Sequence, residues 1–96
     1  MNAASGEAGG AVAIAGRMTL ERAAALLAEG QAALAAGRER FDLAAVTEVD
    51  SSGLAVLFGW QRAARANGKN LRIANPPQSL IKLAEVYGVA ELLPWA

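Results

Sequence analysis

The sequence predicts an α/β fold, a small and mainly parallel sheet with flanking helices, and three observations predict it. Strand-like and helix-like segments alternate three times between Ala11 and Tyr87. The segments between successive strands are long enough for helical crossovers, which join parallel neighbours. The second strand runs straight into Asp50-Ser51-Ser52, whose oxygens are those that open a helix. Ninety-six residues suffice for one domain. Of the 54% hydrophobic residues, 24 are alanines that each bury little area, so the larger aliphatics and five aromatics must build most of a thin core.

Residues 1–10 are small and Gly-rich without period and are expected to form a flexible tail, with the domain spanning residues 11–96. Ala11-Val-Ala-Ile-Ala15 reads as a strand with Val12 and Ile14 on one face, ended by Gly16. Thr19 is the expected cap of a helix from Leu20 to Ala36, whose inward stripe would comprise Leu20, Ala23, Ala24, Leu27, Gln31 and Leu34. Gly37 stops that helix, and Phe41 to Val46 forms the second strand. A turn from Glu48 to Ser52 leads into the next helix. At 100° per residue, Val56, Leu57, Trp60, Ala63 and Ala64 fall on its core side, and Ser51, Ala55, Phe58, Arg62 and Arg65 fall opposite. Asn67-Gly68 should close it with a left-handed cap, beside Lys69. A short strand at Leu71 to Ala74 follows. Asn75-Pro76-Pro77 then opens a last helix with Leu80, Leu83, Ala84 and Tyr87 inward and Gly88 at its end. The apolar segment from Val89 to Trp95 is hydrophobic enough to pack back.

Nine basic residues balance nine acidic ones, so the chain lacks the positive field that holds nucleic acid. There is no cysteine and no histidine, which removes disulfides, thiolate chemistry and the commonest general base and metal ligand. No run approaches the ~20 apolar residues that span a bilayer. The expectation is a cytoplasmic protein without direct membrane insertion, cofactor or metal.

The working end is expected at Asp50, Ser51, Ser52 and Gly53, where strand gives way to helix, as ligand sites in open α/β sheets do. One cap needs one oxygen, and this segment offers three. Gly53 costs helix propensity but would let another backbone or an anion approach the two serines. A phosphate on Ser51 would meet the favourable end of the helix dipole and the repulsion of Asp50 together. Phe58, flanked by Arg62 and Arg65 and in line with Ser51, is a candidate interface anchor. The bland readings are ordinary capping by the turn and a core position for Phe58. Catalysis lacks its parts: Ser51 has no histidine, Ser51-Ser52-Gly53 is not a nucleophile elbow, and Glu48 and Asp50 do not face each other across a substrate.

Val49-Asp50-Ser51-Ser52-Gly53-Leu54, after a Phe-Asp-Leu strand and before a helix ending at Asn67-Gly68, resembles the STAS domain family from about Ala11 to the carboxyl terminus. The resemblance implies a small sheet with flanking helices, no enzymatic activity and a partner-binding role. Two branches are similar. Gly53-Leu-Ala-Val-Leu57 and the segment from Leu80 to Pro94 look most like the MlaB-like subunits of phospholipid ABC transporters, which maintain outer-membrane lipid asymmetry. That branch implies that Ser51 faces the transporter ATPase, MlaF-like; the expected contact is Asp50, Ser51, Ser52, Gly53, Ala55, Phe58 and Arg62, with a peripheral place at the inner membrane through that partner. Ser52 matches instead the anti-sigma factor antagonists, in which Ser51 would be the phosphorylated position and an anti-sigma factor kinase the partner.

Overall fold

The structure, a computed structural model, describes residues 11–96. The tail expected at residues 1–10 lies outside the described residues. In chain order come β1 (Val12–Met18), a 3-10 turn (Leu20–Arg22), α1 (Ala23–Ala35), β2 (Arg40–Val49), α2 (Ser51–Ala66), β3 (Arg72–Ala74), α3 (Gln78–Val86) and a second 3-10 turn (Ala90–Leu92). The three strands form a parallel sheet in the order β1-β2-β3. This is the expected α/β architecture.

Two strand boundaries differ from expectation. Gly16 does not end β1; it takes a φ of +83° inside the strand, which continues to Met18. The pairing with β2 slips between Ala13 and Ala15 and again between Gly16 and Arg17, as at bulges, where a glycine tolerates the local bend. β2 in turn runs through Thr47 and Glu48 to Val49, because β1, being longer, offers it partners up to Met18. The turn expected from Glu48 to Ser52 is therefore absent, and Asp50 alone joins strand to helix.

At the first irregularity the Asp42 Oδ1 accepts the Ala44 N–H at 2.9 Å and the Asn75 Nδ2 at 3.1 Å. The Ala44 N–H, followed by the Asn75 amide, holds this carboxyl below its ordinary value of 3.8. A depressed carboxyl contributes stability that is present above its unfolded value and lost as pH falls through the folded one. In denaturation midpoints measured against pH, wild type should therefore lose more stability than Asp42→Asn as pH falls from about 4 to about 2. Parallel curves would show that the Asp42 bonds do not distinguish the charged form.

The core lies between the sheet and the two long helices. Phe41 of β2 meets Trp60 of α2 edge to face, with ring centroids 4.9 Å apart, and both are fully buried. α2 buries the expected Val56, Leu57, Trp60 and Ala64, with Ala63 half-buried. The inward stripe of α1 is rotated from the expected one. It buries Leu26, Gly30 and Leu34, while Leu20, Ala24 and Gln31 are exposed. An Ala-rich helix is nearly as apolar on one phase as on the next, and Trp60 selects the phase: its indole lies over Gly30 and donates to the Leu26 carbonyl at 2.9 Å.

Gly68, at φ +66°, closes α2 as expected, and the Lys69 N–H returns to the Ala64 carbonyl at 2.8 Å. In α3 Leu80 and Ala84 are buried and Leu83 is half-buried, but Tyr87 is 58% exposed rather than inward. The chain reverses at Gly88, φ +71°, and Val89 takes the core-facing place instead. The carboxyl terminus packs back as its composition suggested: Ile73 N–H donates to the Pro94 carbonyl at 2.9 Å, Ala96 N–H to the Ile73 carbonyl at 2.8 Å, and Leu93 is buried. Among the described residues no helix is long and apolar enough to cross a membrane.

Candidate functional site

The site grows from the carboxyl ends of β1 and β2. Asp50 N–H donates to the Met18 carbonyl at 3.2 Å, which ties the end of β2 to the end of β1 one residue before α2 begins. Asp50 is extended, at φ −123°, and its Oδ1 accepts the Ser52 N–H at 2.8 Å. That is the expected cap, a carboxylate at the positive end of a helix. Its second oxygen has a different role: Oδ2 accepts the Leu20 N–H at 3.1 Å, thirty residues away in sequence. One carboxylate thus caps α2 and fastens the 3-10 turn that leads into α1.

Thr19 is displaced from the capping role. Its side chain makes no cap bond; the buried hydroxyl donates to the Glu21 carboxylate. With Asp50 supplying an acceptor to the first N–H of the turn, the Thr19 oxygen is released to its near neighbour. The Thr19 hydroxyl, with Glu21's own backbone N–H, lowers the Glu21 pKa from its ordinary value. Both Arg17 and Asp50 are close enough to Glu21 to act on its charge, in opposite directions.

The remaining oxygens are the surplus. Ser51 is exposed in the first turn of α2 and Ser52 is half-buried. Neither hydroxyl bonds to another described residue. Gly53 faces inward and is buried; a Cβ there would meet Val49 Cγ1 at 3.0 Å and the Met18 carbonyl oxygen at 3.3 Å. Its missing side chain lets α2 sit close on the strand ends, so the approach it permits is intramolecular and not that of a partner to the serines.

Along the outer face of α2, Ala55, Arg62 and Arg65 are exposed in line with Ser51. Phe58 lies between the two expected positions: half-buried, it packs its inner edge on the core and leaves the rest outside. Ser51, Leu54 and Phe58 form one wall of a shallow groove of 350 Å³ whose other wall is Tyr87 and Val89. The sequence reading missed Tyr87 and Val89 here. The available signal was Tyr87-Gly88: a residue next to a helix-stopping glycine sits where the buried stripe ends. Glu48 is exposed on β2 and Asp50 is engaged in two N–H bonds, so the pair is not arranged across a cleft as acid and base.

A family model described as Mlab, STAS domain, matches residues 1–94. Among solved structures, the anti-sigma factor antagonist SpoIIAA in its unphosphorylated form is similar with a TM-score of 0.57, at 18% identity, over 76% of this chain and 69% of that one. At that identity the likeness concerns the fold alone. No curated protein matches by sequence. The family model covers nearly the whole chain, strand end and helix included, and the chain belongs to the MlaB-type STAS domain family.

Proposed function

We propose that this protein is a non-catalytic subunit that binds the cytoplasmic ATPase of a phospholipid ABC transporter, MlaF-like, and supports its assembly or activity at the inner membrane. STAS domains are generally non-catalytic regulatory or interaction modules. The observation that carries the reading is the MlaB-type family match, which spans the exposed outer face of α2. Asp50 presents the first turn, the Ser51 and Ser52 hydroxyls stand unengaged by other described residues, and Ala55, Phe58 and Arg62 continue the patch. Gly53 acts from beneath by seating the helix. The groove against Tyr87 and Val89 adds apolar area that a single helix face lacks.

The second reading, an anti-sigma factor antagonist controlled by phosphorylation of Ser51, is favoured by one feature. Ser51 is exposed and directly follows Asp50. A phosphate there would be repelled by the Asp50 carboxylate and would disturb a docked partner.

Affinity purification of the tagged protein from its native cells, read by mass spectrometry, separates the two. Recovery of an ABC ATPase with unmodified Ser51 is expected. An anti-sigma kinase in its place, with phosphate on Ser51 in the unbound pool, would overturn the transporter reading. With the ATPase in hand, Ser51→Ala should weaken binding by about 1 kcal/mol through one lost hydrogen bond, and Phe58→Ala by about 2 kcal/mol as an anchor. Unchanged affinity for both variants would move the interface off this face.

A further inference from the structure

The far end of α2 carries a second constellation, independent of Ser51. The helix rises 1.5 Å per residue, so Arg65 stands about 21 Å from Ser51 along the axis. Here a cleft of 190 Å³ opens between the last turns of α2, the following loop, the start of β3 and the carboxyl-terminal segment. Its polar lining is Gln61, Arg65, Lys69, Asn70 and Arg72, and no aspartate or glutamate lines it. The three cations come from three different elements.

Among the described residues the side chains of Arg65 and Lys69 have no hydrogen bond or ion pair, and Arg72 has only a 3.3 Å bond from Nη1 to the carbonyl of Leu71. One carboxylate stands at the edge of the cleft without lining it: Glu39 Oε2 accepts the Asn70 N–H at 2.8 Å. In register beside Arg72 on β2 stands Arg40, a further cation at this end of the sheet.

The helix dipole favours cations near its carboxyl end and accounts for Arg65 and Lys69. It does not account for Arg72 on a strand, or for the lack of acidic residues in the lining. The carboxyl end of α2 disfavours an anion by itself, and the Arg65 and Lys69 charges beside it offset that effect; its last carbonyls are also engaged within the chain. Ala63 accepts from the Asn67 N–H and from Asn67 Nδ2, Ala64 from the Lys69 N–H, and Arg65 from the Gly68 N–H. The walls are held as well: Gln61 Nε2 donates to the Leu92 carbonyl at 3.0 Å, and Pro94 is bonded to β3 through Ile73. A water takes up about 30 Å³, so the cleft has room for a tetrahedral oxyanion that keeps part of its hydration.

We infer that this cleft is a binding site for a phosphate-class oxyanion, held by Arg65, Lys69 and Arg72. Arginine supplies forked donors and lysine a point charge, the combination that suits a phosphate with several acceptor oxygens. The group recognised is the phosphate itself, whether carried on a small soluble phosphate or on a lipid headgroup.

The test is a titration of the full chain, labelled with nitrogen-15, followed by amide chemical shifts at constant ionic strength. Three probes are compared: inorganic phosphate, glycerol 3-phosphate, and vesicles of phosphatidylglycerol in phosphatidylcholine. Saturable shifts confined to residues 61–72, with a dissociation constant of about 1 mM or below, are expected, and the amides at Ser51 and Ser52 should not move. Arg72→Gln with Lys69→Gln should weaken binding by about tenfold, and so should Arg65→Gln alone, with the thermal transition unchanged in each. Saturation by the two soluble probes assigns the site to small phosphates; vesicle binding that protects the same amides and is lost in the same variants assigns it to headgroups. Shifts no larger than those from equal chloride, shifts centred on Ser51, or shifts indifferent to the removal of all three cations would overturn the inference.

Discussion

Gly30→Ala is expected to destabilise the protein by about 1–3 kcal/mol, although alanine is the better helix former. A Cβ at position 30 would overlap Nε1, Cδ1 and Cε2 of the Trp60 indole. Trp60 is fully buried and held on its other side by Phe41, so it has little room to retreat. Overpacking of this kind costs about 1–3 kcal/mol, and displacing the indole also strains its bond to Leu26, worth about 1 kcal/mol. The gain in helix propensity offsets roughly 1 kcal/mol of that sum. A fall in melting temperature on the order of 10 °C should accompany the change. Urea unfolding gives the sign directly. If Gly30→Ala were neutral or stabilising, Trp60 would not be seated against α1. Repeating the substitution in a Trp60→Leu background should recover part of the loss, since the two positions share one contact.

Asp50→Ala should cost about 2 kcal/mol, more than an ordinary cap. Loss of an N-cap oxygen alone costs roughly 1 kcal/mol. Here the same carboxylate also accepts the Leu20 N–H, so removing it leaves the start of the 3-10 turn without its acceptor as well as the start of α2. Asp50→Asn is the sharper variant. Its remaining oxygen can still cap Ser52, but its amide presents a donor to a donor at Leu20, so about half of the loss should persist. Native-state hydrogen exchange separates the two roles: in Asp50→Asn the Leu20 amide should lose protection while the Ser52 amide keeps it. Equal behaviour of the two amides would reduce Asp50 to a simple cap.

Because that carboxylate caps the Ser51 turn, Asp50→Ala should also weaken partner binding by loosening the turn. A residue that acts only through the fold would lose binding in proportion to the unfolded fraction. A positioning residue weakens binding even where the variant is fully folded, and affinity measured well below the melting temperature distinguishes these cases.

Alternation of element types, the carboxylate cap at Asp50, left-handed glycines after helices and the phase of α2 were all legible in the sequence, because each follows from forces within a few residues of chain. The phase is clear in α2 because Val56, Leu57 and Trp60 contrast with Arg62 and Arg65. It was not legible in α1, where alanines surround every candidate stripe and the choice between them belongs to Trp60, more than two dozen residues later. Thr19 fits the local rule for a cap, and a carboxylate thirty residues on took its place. Gly53 and Tyr87 were misread in direction for the same reason: a glycine's bare face and an aromatic at a helix end acquire an inside and an outside only when Met18, Val49 and Val89 are packed beside them. The sequence by itself determined the fold class and the polar atoms offered where β2 gives way to α2. Only the tertiary structure decided which oxygens are spent on backbone N–H groups and which stay exposed, because hydrogen bonds and close contacts between distant residues are settled by packing, not by local propensity.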